Sequence, residues 1–95
     1  MTMAVVTVLE FPDLTREQYE RVGASLAAGA PEGILYHACG AVEDGWRIMD
    51  VWESQEAFDR FVDRTYLPAV RQAGGPEPSR REVVAAHHAG VVQRG

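Results

Sequence analysis

β-branched and apolar runs bounded by turn residues mark some stretches of the chain, apolar positions recur at helical spacing in others, and together they set an order of elements. Met3 to Glu10 is β-branched and closed by Phe11-Pro12-Asp13, which predicts a strand and then a turn. Thr15 offers an N-cap oxygen, and Gln18 three residues later completes a capping-box pattern. Tyr19, Val22, Gly23, Leu26 and Ala27 follow at helical spacing, with Arg16, Glu17, Glu20 and Arg21 on the other side. Gly29 and Pro31 close that helix. Gly23 and the alanines give the stripe little area, so another element is expected to lie close against it.

Ile34 to Val42 and Trp46 to Glu53 predict the second and third strands, with Glu43-Asp44-Gly45 between them as hairpin chemistry. Ser54 caps a second helix whose first turn carries Glu56. Phe58, Phe61, Val62 and Leu67 mark its buried side, and Asp59, Arg60, Asp63 and Arg64 its wet side. Pro68 is too deep for a first-turn proline, so a kink or break is expected near Tyr66. After the Gly74-Gly75-Pro76-Glu77-Pro78 loop, Arg81 to Val92 is the last strand. The order β-α-β-β-α-β predicts one α+β domain over residues 1–95. It is ferredoxin-like, a four-stranded antiparallel sheet with both helices on one face.

That layout leaves the other sheet face bare. Strands of about five residues, at ~3.3 Å rise and ~4.8 Å spacing, give it roughly 300 Å². If mostly apolar and left wet, it would forgo on the order of 8 kcal/mol. A chain of 95 residues gains little from burial on its own, so a homodimer joined through this face is expected.

Composition narrows the function. Apolar residues make up 46% and charged residues 24%, as in an ordinary globular chain. The net charge of −5 argues against nucleic acid or anionic lipid as a partner. One cysteine, Cys39, fits a reducing compartment. No leader pattern follows Met1 and no apolar run approaches the length of a membrane span, so a cytoplasmic protein is expected. The chain has neither lysine nor asparagine, which removes Schiff-base chemistry and the phosphate-binding lysine of a P-loop.

The hairpin decides which polar side chains meet. With Asp44-Gly45 as a two-residue loop, Cys39 pairs with Asp50 and His37 with Trp52, and all four share a face. A three-residue loop with a bulge at Gly45 competes, and would part His37 from Asp50. A histidine beside an aspartate can move a proton near neutral pH, or be a satisfied polar pair in a core or dimer seam. Asp50 is the more telling member, because a carboxylate amid Ile48, Met49, Val51 and Trp52 is costly unless partnered. Trp52, Tyr66 and Phe61 are candidate pocket walls. Arg71 either complements its helix dipole or grips a ligand acid. His87 and His88 alternate on the last strand, so one of them can join His37. No metal-ligand spacing is present, no cofactor is expected, and Cys39 reads as an inert thiol.

The stretch Val51-Trp52-Glu53-Ser54-Gln55-Glu56-Ala57-Phe58-Asp59-Arg60-Phe61 resembles a recurring segment of the dimeric α/β-barrel superfamily. It is most similar to the antibiotic-biosynthesis-monooxygenase-like branch, with V-W-x-S-x-x-A-F and an aromatic three residues on. The resemblance implies a homodimer with a pocket between sheet and helices. The implied activities are cofactor-free oxygenation of aromatic polyketides, haem degradation, and small cyclase or isomerase chemistry. The haem degraders' asparagine, helix tryptophan and helix histidine are all missing, Phe61 and Arg71 standing at the last two positions. The asparagine–tryptophan pair favoured by the polyketide oxygenases is missing as well. The expected function is a cofactor-independent enzyme acting on a hydrophobic aromatic or polyketide-like molecule, by oxygenation or by cyclisation or isomerisation. His37 would be the acid or base, Asp50 its partner, and Trp52, Tyr66, Phe61, Arg71 and His87 would contact substrate. The alternatives are a non-catalytic small-molecule-binding or stress-associated dimer, and haem binding without degradation.

Overall fold

A computed structural model describes residues 3–26 and 29–92. Strand β1 (Val5–Pro12) alternates without a break, Val5, Thr7, Leu9 and Phe11 being buried and the residues between them half-buried. Helix α1 (Arg16–Ser25) opens on the expected capping box, Gln18 N–H donating to Thr15 Oγ1 and the Gln18 side chain accepting from Thr15 N–H. Strands β2 (Ile34–Val42) and β3 (Gly45–Trp52) form the hairpin. Helix α2 (Gln55–Phe61), capped by Ser54 Oγ on Ala57 N–H, runs through a π-helical turn at Val62–Tyr66 into α3 (Leu67–Gln72). Strand β4 (Arg80–Ala85) ends the sheet, whose order is β2-β3-β1-β4 with every neighbour antiparallel. The architecture is the ferredoxin-like βαββαβ fold.

The core lies between the sheet and the two helical rods, where Leu9, Phe11, Ile48 and Trp52 of the sheet meet Val22, Phe58, Val62 and Val70. The break expected at Pro68 takes the form of the π turn. Proline has no N–H for the carbonyl four residues back, and the chain adjusts one turn earlier, where Leu67 N–H donates to Val62 O, five residues behind. No helix among the described residues is long and apolar enough to cross a membrane. Ala27, last in the expected α1 stripe, lies outside the described residues.

Three expectations are corrected. The hairpin loop is Glu43-Asp44 and not Asp44-Gly45: Val42 pairs with Gly45, Ala41 with Trp46, and His37 directly with Asp50. Gly45 is not a left-handed turn residue but the first residue of β3. A Cβ there would collide with the Phe11 carbonyl oxygen, so glycine is required by the approach of β1. The register therefore moves by two, which preserves the facing of every side chain.

The last strand ends at Ala85, well short of Val92. β1, its neighbour among the described residues, has its last register pair with it at Val5 opposite Ala85, one more backbone bond runs from Ala86 N–H to Ala4 O, and the Ala-His-His-Ala-Gly stretch has no large apolar side chain to bury. Among the described residues no element presses on Gly23 as expected, since nothing lies within 4 Å of where its Cβ would be. A cavity lies there instead.

Candidate active site

The small residues of α1 and the absence of a large residue opposite leave a cavity of about 300 Å³ between α1, the sheet and the second rod. Its apolar walls include Leu9, Leu26, Ile34, Ile48 and Val62. Trp52 and Phe61 stack with ring centres 5.6 Å apart, and Phe61 meets Tyr66 at 5.8 Å, so the second rod supplies an aromatic wall. One side is polar, and the β2–β3 pairing builds it.

Asp50 and His37 are register partners on the face of the sheet that looks at the helices. Asp50 is 7% exposed, and its carboxyl accepts from His37 Nδ1–H at 2.7 Å. Tyr19, from α1, places its hydroxyl 2.9 Å from His37 Nε2, its ring resting on Trp46 with centres 5.0 Å apart. A carboxylate only accepts, so Nδ1 carries the proton in the neutral ring and Nε2 accepts the Tyr19 O–H. The three groups form a hydrogen-bonded line, Asp50–His37–Tyr19, and all three line the cavity.

Electrostatics give each member a direction. Burial pushes the Asp50 carboxyl above its ordinary range, while the His37 N–H and the nearby Trp52 indole pull it back. The Trp52 N–H is near enough to favour the carboxylate but closes no hydrogen bond, and it is buried without a partner. Burial also raises the Tyr19 phenol, with the Cys39 thiol adding to it, and burial raises Tyr66, with Cys39 and Asp50 adding. Both tyrosines are therefore hydrogen-bond donors at neutral pH. The Tyr66 hydroxyl, like the Trp52 N–H, is buried in the cavity wall and has no partner among the described residues, which leaves two donors unused there.

Of the residues singled out from sequence, the structure brings His37, Asp50, Trp52, Tyr66 and Phe61 to one cavity. Arg71 is elsewhere: its guanidinium grips Glu77 through two hydrogen bonds of 2.8 and 2.9 Å at the exposed end of α3. His87 and His88 are exposed and follow β4, so neither faces the cavity. Cys39 faces the helices but is exposed on the edge strand. Among the described residues no cluster of histidine, cysteine and carboxylate side chains suited to a metal ion occurs. Tyr19 is the member that sequence reasoning took for a stripe residue. The signal was present, since a tyrosine on a thin apolar stripe brings a hydroxyl that needs a partner.

No family model matches the chain, and no curated protein matches it. Solved structures do. SnoaB, a cofactor-independent oxygenase from Streptomyces nogalater, superposes with a TM-score of 0.67 at 19% identity over 93% of this chain and 97% of its own. A putative antibiotic biosynthesis monooxygenase from Chloroflexus aurantiacus gives 0.63 at 14% identity over 95% and 99%. MupZ from Pseudomonas fluorescens gives 0.58 at 16% identity over 92% and 71%. The chain has the antibiotic-biosynthesis-monooxygenase-like ferredoxin fold.

Proposed function

We propose that the chain is a small acid–base enzyme that takes a proton from a hydrophobic, aromatic or polyketide-like molecule held in the cavity. The observation that carries this reading is the Asp50–His37–Tyr19 line opening on an apolar hollow of about 300 Å³. His37 is the base: Asp50 fixes its tautomer and supports the charge it gains, and Nε2 takes the proton of an acidic O–H or C–H directly or through the Tyr19 hydroxyl. Trp52 and Tyr66 offer their free donors to the oxygen on which negative charge develops. The carbanion or enolate then follows one of two courses. In an oxygenase it reduces O₂, one oxygen atom staying as a carbonyl and the other leaving as water. In a cyclase or isomerase it attacks or is reprotonated within the same molecule. Neither course draws on a metal or an organic cofactor. The similarity in fold to SnoaB supports the first. We place the protein in the cytoplasm, as a single domain working as a homodimer.

Solvent-deuterium exchange at the acidic methylene of an anthrone under nitrogen reads proton abstraction alone, and oxygen uptake on admitting air separates the two courses. His37→Ala should slow exchange by roughly 10²–10⁴-fold. Tyr19→Phe and Asp50→Asn should slow it less, with folding intact. Exchange as fast in His37→Ala as in the parent protein would overturn the proposal and leave the cavity as a storage site.

A further inference from the structure

Beside the cavity runs a groove of about 740 Å³ between the C-terminal end of α1 and the start of the second rod. It shares Leu26, Gly29, Ala30, Pro31 and Phe61 with the cavity, so it adjoins the cavity's mouth. Its cationic wall is Arg60 and Arg64, four residues apart across the junction of α2 with the π turn, and Glu32 is its only acidic lining residue. Most of the described arginines of this chain are paired, and these two are not. Arg16, Arg47, Arg71, Arg80 and Arg81 are each tied to a carboxylate. Among the described residues Arg21, Arg60 and Arg64 hold none, although the protein carries 14 acidic residues against nine basic ones, and of these three it is Arg60 and Arg64 that line the groove.

We infer that Arg60 and Arg64 receive a carboxylate of the molecule whose apolar body fills the cavity, so that the substrate class is an aromatic carboxylic acid. The inference rests on the reading of the cavity as the substrate site. Two guanidinium forks suit the planar carboxylate. Glu32 leaves the groove a net single positive charge, which suits a monoanion better than a phosphate dianion. The acid end of the ligand is held in the groove, and the far end of its ring system meets His37 and Asp50. The arginines thus set which carbon of the ring system reaches the base.

The test is a titration of 2-naphthoate against its methyl ester, followed by quenching of the tryptophan emission to which Trp52 contributes. In the parent protein at low salt the acid should bind about tenfold more tightly than the ester. That preference should vanish in the Arg60→Gln/Arg64→Gln double variant and shrink at about 0.5 M salt, where the screening length falls to a few ångströms. The ester's affinity should not change in either case. Gly23→Leu, which fills the cavity, should abolish binding of both. Equal binding of acid and ester, or a preference that survives the double substitution, overturns the inference while leaving the cavity reading intact. Failure of both probes to bind, or unchanged binding of both to Gly23→Leu, overturns the cavity reading and the inference with it.

Discussion

Asp50 is held between Ile48 and Trp52 on β3, where burial pushes its carboxyl above the ordinary range and the His37 N–H offsets part of the rise. The sign of its effect on stability follows. Below the ordinary carboxylate range the group is protonated in both folded and unfolded chains, and its burial costs little. As pH rises, the unfolded chain ionises first, so stability is lost through the raised native value and the cost is fully present above it. Glu10, Asp63 and Glu77 behave oppositely, since arginine hydrogen bonds hold them below the usual range and their support is lost on acidification. Comparing Asp50→Asn with the parent protein cancels those three. The variant keeps an oxygen acceptor for His37 Nδ1–H and sheds the buried charge. It should melt a few degrees higher at pH 7, the gap closing as pH falls to about 3. Thermal melts at both pH values read this directly, and a variant that melts lower at pH 7 would show that the hydrogen bond from His37 to the carboxylate outweighs the cost of burial.

At the scale of elements, the cavity is made by what α1 lacks. Gly23 faces the hollow, with no described atom within 4 Å of where a Cβ would stand, while Val22 beside it is fully packed. Leucine at that position gains about 0.8 kcal/mol in helix propensity and puts an apolar side chain on the cavity wall. Gly23→Leu should therefore melt several degrees higher and lose proton-abstraction activity, a pairing that differential scanning calorimetry and the exchange assay would expose. A helix glycine kept at a cost in stability is what a binding cavity requires. From sequence the same glycine pointed to a close neighbour, because an empty space and a tight contact both select for a small residue. Gly45 misled in a related way. Its neighbours Glu43 and Asp44 read as turn chemistry, but it is the approach of the Phe11 carbonyl across the sheet that excludes a side chain. Tertiary contact of that kind leaves no local trace. What depended on local rules was legible: the Thr15 and Ser54 caps, the strand that the β-branched run of β1 makes, and the disturbance that Pro68 imposes. The meeting of His37 with Asp50 was legible too, since a register error of two residues keeps each side chain on its face. The end of β4 was not, because it is set by where β1 stops pairing.

At the scale of the molecule, the sheet's outer face carries Tyr36, Met49 and Val84 at 67%, 46% and 61% exposure, with the half-buried Val6, Val8 and Val51 between them. One end of that face is charged, Glu10 accepting from Arg47 at 2.6 Å and from Arg80 at 3.2 Å, and Arg80 in turn holding Glu82. An apolar centre with a satisfied ionic end suits an isologous contact, since a two-fold axis would place each charged end at the border of the shared core. The helices cover the opposite face, so the pairing would leave the cavity and the Asp50–His37–Tyr19 line undisturbed. Sedimentation should give about twice 10.5 kDa, and the melting temperature should rise with protein concentration. Val84→Asp would put an unpaired, desolvated carboxylate from each copy into the shared face, and should yield a monomer that melts lower but still binds an aromatic probe. A parent chain that sediments as a monomer at 100 µM would leave this apolar face without its partner, whereas a Val84→Asp dimer would move the interface to another surface.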